Sequence, residues 1–236
     1  MCASSIEKVN YRGLDIPKVS FGNIDSDALF GPLDQEVFDF YESNRDRYKT
    51  ALDIGANIGV HSILMAKQGW QVRAFEPDVC HYWRLRVNLQ KNGIKEPLEV
   101  DPIKKAISNR SGRATFVRVS NNTTGSHLEG EKTPYGPVER SEVEVVDCRI
   151  FWPWADFAKI DCEGHEATIL ECVTNKNCEF MVEVTNLRNA ERIFGHFHEL
   201  GMGMWAQKLG WGLVEGLGDM PAHHSQGHLF IGNHHP

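Results

Sequence analysis

Four carboxylates in this chain stand at the ends of short apolar runs: Asp53, Glu76, Asp161 and Glu163. A carboxylate so placed accepts hydrogen bonds from hydroxyls, takes a proton, or attracts a cationic group. The residues around each one narrow the choice. Asp53 lies in ALDIGANIGVHS, Ala51 to Ser62. Ala51 to Ile54 reads as a buried strand, and Gly55 and Gly59 bracket a tight turn. Beyond the turn Ile58, Val60, Ile63, Leu64 and Met65 recur at roughly helical spacing. A strand that breaks into a glycine turn and then a helix is the entry unit of a nucleotide-type α/β site. Glycine there leaves the backbone bare for a ligand to approach.

The pattern is Asp-x-Gly-x-Asn-x-Gly, Asp53 to Gly59, rather than the glycine triplet of a dinucleotide site. A carboxylate where a diphosphate would sit disfavours that ligand by like-charge repulsion. No Gly-Lys-Ser/Thr ending follows, which excludes a P-loop. An acidic mouth suits a ligand with a positive centre, and S-adenosylmethionine (SAM) carries a sulfonium and an ammonium. VRAFEPD, Val72 to Asp78, supplies the next strand, ended by Pro77. Its Glu76 lies 23 positions beyond Asp53, close to the spacing of about 20 at which an acid meets ribose hydroxyls. Asp53, Gly55, Asn57, Gly59 and Glu76 are therefore the expected cofactor-binding set. Asp101 and Ala106, in the loop after a third strand, are expected beside the adenine, with Ile107 and Ser108 near them.

The strand–turn–helix layout recurs in FWPWADFAKIDCEGHEATILEC. Phe157 to Ile160 reads as a strand, Asp161 to Gly164 as the turn, and His165 to Cys172 as a helix. In a doubly wound sheet the carboxyl ends of the strands face the ligand crevice. Asp161, Glu163 and His165 are thus the candidate catalytic residues, orienting or deprotonating an acceptor. Glu166 reads as a complement to the helix dipole. A divalent ion would need Asp161, Glu183 and Asp147 to converge; the expectation is no metal. The histidines at 223, 224, 228, 234 and 235 read as a solvated tail, without ligand spacing.

Other segments must position these groups. A helix is expected over 34–47, capped by Asp34, and another over CHYWRLRVNLQKNGI, stopped at Asn92-Gly93. ATFVRVS and EVEVVDC alternate as strands. The polar stretch between them, residues 121–142, reads as an insert and a substrate-side flap. A fifth strand, CEFMVEVTN, precedes a helix over 191–201, and MGMWAQKL and GHLFIGN close the sheet. Residues 1–33 form an N-terminal extension placed to cover the sheet or the cofactor, and 34–236 one catalytic domain.

Composition sets outer bounds. The 236 residues are 41% hydrophobic, with a net charge of −7. That balance argues against a protein held to nucleic acid by backbone charge. The six cysteines form no C-x-x-C pair, so zinc-ribbon and thioredoxin-type sites are not indicated. No leader-like or membrane-spanning run appears, and a cytoplasmic location is expected.

With LDIGANIG (52–59), FEP (75–77) and KIDCEGHE (159–166) together, and with Asn88 and Asn92 at their spacing, the chain resembles the FkbM-type methyltransferases over about 50–184. The resemblance implies a Rossmann-like class I methyltransferase fold: a seven-stranded, mostly parallel sheet with helices on both faces. It implies SAM as cofactor and transfer of a methyl group to a hydroxyl oxygen of a small molecule, a sugar or a polyketide-like product. Two alternatives remain open from the residues: an NAD(P)-dependent oxidoreductase, and a SAM-binding protein without transferase activity. Neither a nucleic-acid partner nor a membrane is expected, and the oligomeric state is not legible.

Overall fold

The structure, a computed structural model, describes residues 12–236 and the backbone of Lys8 and Val9. Two short strands, β1 (Lys8–Val9) and β2 (Ile16–Pro17), pair antiparallel ahead of the main body. Helix α1 (Pro32–Ser43) begins two residues before the expected start. Pro32 explains the shift: its fixed φ suits the first helical position, and its missing N–H is not needed there. Asp34 consequently sits inside the first turn rather than at the cap.

The central unit alternates strand and helix: β3 (Thr50–Ile54), α2 (Val60–Lys67), β4 (Gln71–Phe75), α3 (Val79–Lys91) and β5 (Val100–Ile103). The chain then leaves this layer. β6 (Ala106–Ser108), β7 (Gly112–Val119), β8 (His127–Leu128) and β9 (Val138–Asp147) form a separate four-stranded sheet in the order β6-β9-β7-β8. It re-enters through β10 (Phe157–Ile160), α4 (Glu166–Leu170), β11 (Glu179–Glu183), α5 (Leu187–Leu200), β12 (Gly203–Ala206), β13 (Gly212–Leu213) and β14 (His228–Gly232). The main sheet thus has eight strands, β13-β12-β14-β11-β10-β3-β4-β5, not seven. The pairs from β11 through β5 are parallel, while β14, β12 and β13 join antiparallel. The extra strand is the two-residue β13, too short to leave an alternation in sequence.

Strand alternation divides the core in two. Ala51, Phe157, Met181 and Phe230 pack with α1, α2 and α3. Their neighbours Leu52, Ala158, Val182 and Ile231 pack with α4 and α5. This is the period-2 pleat of a sheet covered on both faces. α5 starts at Leu187, four residues earlier than expected, because the Asn186 side chain accepts a hydrogen bond from Asn189 N and caps it. α4 is shorter than expected, ending at Leu170. Among the described residues no helix is long and apolar enough to cross a membrane.

Candidate active site

A cavity of about 690 Å³ opens at the carboxyl ends of β3, β4, β10 and β11. Its volume is typical of small-molecule sites. One end is built from the turn after β3. Gly55 has φ +85°, Asn57 φ +52° and Gly59 φ +89°, the left-handed region that lets the chain reverse within a few residues. Asn57 N donates to Glu76 Oε2 (2.8 Å) and Asp78 N to Glu76 Oε1 (2.8 Å). Burial pushes the Glu76 carboxyl up to about 8, with Asp78 and Asp53 adding to the rise against the two amides. Gly55, Asn57, Glu76, Ala106 and Ile107 all line the cavity.

The two glycines act differently from a bare ligand cradle. A Cβ on Gly55 would lie 1.8 Å from the Asp161 carbonyl oxygen, and one on Gly59 would lie 2.3 Å from Leu85 Cδ1. Both therefore permit close packing, of the β10 tip and of α3. Gly59 does not line the cavity.

Asp53, expected at the mouth, lies beneath it. It is 1% exposed, does not line the cavity, and its Oδ2 accepts a hydrogen bond from Ser62 Oγ at 2.5 Å. Register explains this: Asp53 shares a face with Ala51, the face covered by α2. Burial raises its pKa to about 6. Asp101 sits within β5 and likewise does not reach the cavity wall. Asp147 stays at the end of β9, paired with Arg149, so it does not join Asp161 and Glu183.

The other end is lined by Asp161, Glu163 and His165, each already engaged. Lys159 Nζ donates to Asp161 Oδ2 at 2.8 Å. Burial would raise the Asp161 pKa, but the buried ammonium outweighs it and the carboxyl is held low. Glu163, in the left-handed region at φ +57°, pairs with Lys132 from the 121–142 segment. Burial and Asp161 together push its pKa up to about 7. His165 uses both ring nitrogens: Nδ1 meets Glu131 Oε1 at 2.7 Å and Nε2 meets Ser108 Oγ at 2.8 Å. Adjacent residues Glu131 and Lys132 thus hold the turn between β10 and α4 at two points.

Three positions carry more than the sequence reading assigned them. Glu166 sits in the first turn of α4 as expected, but it is also fully buried and accepts from Gly164 N (2.8 Å), Thr185 Oγ1 (3.1 Å) and Asn189 Nδ2 (2.6 Å). His228 is not in a solvated tail: it is buried in β14, and together with His223 and His224 it lines the cavity. Its place inside the apolar run HLFIG was the available signal. Glu183 ends β11 against the same cavity, and burial and Asp161 raise its pKa well above the usual range. Residues preceding α1, including Ile24 and Leu29, close one side.

These residues fit SAM. Glu76 retains free lone pairs for ribose hydroxyls, and the Asn57 Oδ1 is buried with no partner among the described residues. Apolar Ala106 and Ile107 offer a face for a base. A family model described as the methyltransferase FkbM domain matches residues 53–207, well over half of the chain. Hexuronic acid methyltransferase AglP of Haloferax volcanii is 32% identical over 131 residues, 52% of this chain and 49% of that protein. The chain thus spans about half the length of that curated relative. Among solved structures, Trm5b from Pyrococcus abyssi aligns at TM-score 0.48 and 13% identity, covering 93% of this chain and 52% of that one. A precorrin 8W decarboxylase from Methanobacterium thermoautotrophicum aligns at TM-score 0.46 and 14% identity, covering 85% and 90%.

Proposed function

Because the chain belongs to the FkbM methyltransferase family, with SAM as its cofactor, we propose that it methylates a hydroxyl oxygen of a small polar acceptor, a sugar or glycan in the first instance. The carrying observation is the single cavity that joins the Glu76 end to a second end rich in carboxylates, Asp161, Glu163 and Glu183. Carboxylates accept hydrogen bonds from hydroxyls and orient them. The relative from Haloferax volcanii is named for a hexuronic acid, which supports a carbohydrate acceptor.

In this reading Glu76 and the 55–57 turn hold the nucleoside, and Ala106 lies against its base. Bound SAM supplies an electrophilic methyl group. Asp161 and Glu163, each fixed by a lysine, orient the acceptor hydroxyls. His165, with both nitrogens bonded, holds the 121–142 segment over the site. Pre-fixed partners limit the reorganisation needed on binding and bring the acceptor into line.

The test is a transfer assay with the full chain, methyl-labelled SAM and a panel of methyl hexopyranosides, methyl hexuronosides and simple alcohols. Label in a sugar methyl ether is the expected result. Binding of SAM without transfer to any hydroxyl would overturn the reading.

A further inference from the structure

Of the carboxylates at the strand ends of this cavity, Glu76 is held by two backbone amides, Asp161 by Lys159 and Glu163 by Lys132. Glu183 differs. Its side chain is 23% exposed, toward the cavity, and among the described residues no group donates a hydrogen bond to it. Facing it is the ring of His228, with Nε2 3.9 Å from Glu183 Oε2. That ring's tautomer is set from behind. Gln207 Nε2 donates to Leu33 O (3.0 Å) and Glu36 Oε2 (2.9 Å), so Gln207 Oε1 must be the acceptor. It accepts from His228 N (2.9 Å) and from His228 Nδ1 (3.2 Å). The Nδ1 therefore carries the proton, and Nε2 presents a lone pair, buried and without a partner.

The Glu183 carboxyl and an imidazole lone pair thus face each other across 3.9 Å. We propose that Glu183 is the general base that takes the proton of the acceptor hydroxyl, with His228 a positioning residue behind it. The assignment rests on the hydroxyl-methylation reading above. Glu183 gains the hydroxyl proton as the acceptor oxygen forms its bond to the methyl carbon, while the carbon–sulfur bonding pair stays on sulfur. One positive charge on sulfur and one negative charge on the carboxylate disappear together. The products are a methyl ether, a neutral thioether and a protonated carboxyl.

His228 Nε2 then accepts a hydrogen bond from the new carboxyl proton, which favours the protonated form. The surrounding charges act in the same sense. Burial raises the Glu183 pKa most, Asp161, Glu163 and Asp34 add to the rise, and Lys159 opposes it. A carboxyl raised above the ordinary range is a stronger base than a free carboxylate, the tuning that general-base catalysis uses. His228 stays neutral, since burial and then Lys159 press its own pKa down to about 3.

The experiment compares the full wild-type chain with Glu183→Gln and His228→Phe. The assay follows transfer from SAM to methyl hexopyranosides and methyl hexuronosides. Carbon NMR of glutamate-labelled chain and nitrogen NMR of the imidazoles supply readouts independent of turnover. The glutamine amide can donate to His228 Nε2, so Glu183→Gln should fold with an unchanged or higher melting temperature and unchanged SAM affinity. Its kcat should fall by about 10²–10⁴-fold. Glu183 should titrate above the ordinary carboxylate range, and His228 should show the Nδ1–H tautomer. His228→Phe should lower the Glu183 midpoint and move the rising limb of the pH–rate profile the same way, which a packing role alone would not do. A Glu183→Gln chain that transfers methyl at the wild-type rate, an Nε2–H tautomer, or an ordinary Glu183 midpoint would each overturn the base assignment alone. A wild-type chain that transfers to no hydroxyl would overturn the parent reading, and this assignment with it.

Discussion

Asn57 N and Glu76 Oε2 are joined by a 2.8 Å hydrogen bond, so the turn after β3 and the tip of β4 form one unit. The acid that borders the cofactor end is thereby fixed by backbone of the glycine turn itself. Replacing Glu76 with Ala removes charge-assisted hydrogen bonds worth about 1.5–3 kcal/mol each. SAM affinity should fall by roughly 10–100-fold, measured by titration calorimetry.

The same carboxyl gives a pH dependence with a defined sign. Its folded-state pKa of about 8 exceeds the ordinary 4.5. Between those values the folded chain keeps a proton that the unfolded chain has released. Its contribution to stability is therefore complete below about 4.5 and is lost as pH rises through about 8. If Glu76 takes the ribose hydroxyls through its ionised form, as proposed, SAM binding should tighten over the upper part of the same window. Glu76→Gln should flatten the affinity profile; an identical pH dependence in that variant would contradict the assignment.

Glycine replacements separate packing from ligand access. Gly55→Ala puts a methyl against the backbone carbonyl of Asp161, which cannot move aside, whereas Gly59→Ala meets the flexible end of Leu85. Each also carries about 1–3 kcal/mol of backbone strain at positive φ. The expected order of melting temperatures is wild type, then Gly59→Ala, then Gly55→Ala. Gly59→Ala should retain SAM affinity if it folds.

Asp53 and Ser62 test the corrected role of the first acid. Ser62→Ala leaves a buried carboxyl without its hydroxyl donor and with only the Ser62 backbone amide, a loss of about 1–3 kcal/mol in stability. SAM affinity should stay within about twofold of wild type, a difference under about 0.5 kcal/mol. A large affinity loss would return Asp53 to the ligand.

Lys132 and Glu131 tie the 121–142 segment to the turn between β10 and α4. Lys132→Ala should weaken acceptor binding by about 5–30-fold, equivalent to about 1–2 kcal/mol, read as a raised acceptor KM with SAM affinity unchanged. Limited proteolysis should cut the segment faster in the Glu131→Ala, Lys132→Ala double variant.

Much of this site was legible because local chemistry wrote it. The glycines at 55 and 59 and the proline at 77 impose turns and ends that few other residues tolerate. The strands at 50–54 and 157–160 stand out in sequence as short apolar runs because both of their faces are buried. What sequence could not supply was direction and distance. Asp53 and Glu76 look alike as strand-end acids, yet the pleat turns one under α2 and leaves the other at the cavity. The contribution of Lys132 depends on an insert folding back 31 positions onto Glu163. Glu183 and His228 meet only through antiparallel pairing of β11 with β14, a long-range register that no local pattern encodes.

The account is tested most directly by supplying the wild-type chain with SAM carrying a deuterated methyl group, together with the sugar panel, and locating the label by NMR. The predicted result is a deuterated methyl ether, with the label on a sugar hydroxyl oxygen, formed by wild type and lost in Glu183→Gln. Label on nitrogen or carbon, or no product from a chain that binds SAM, would contradict it.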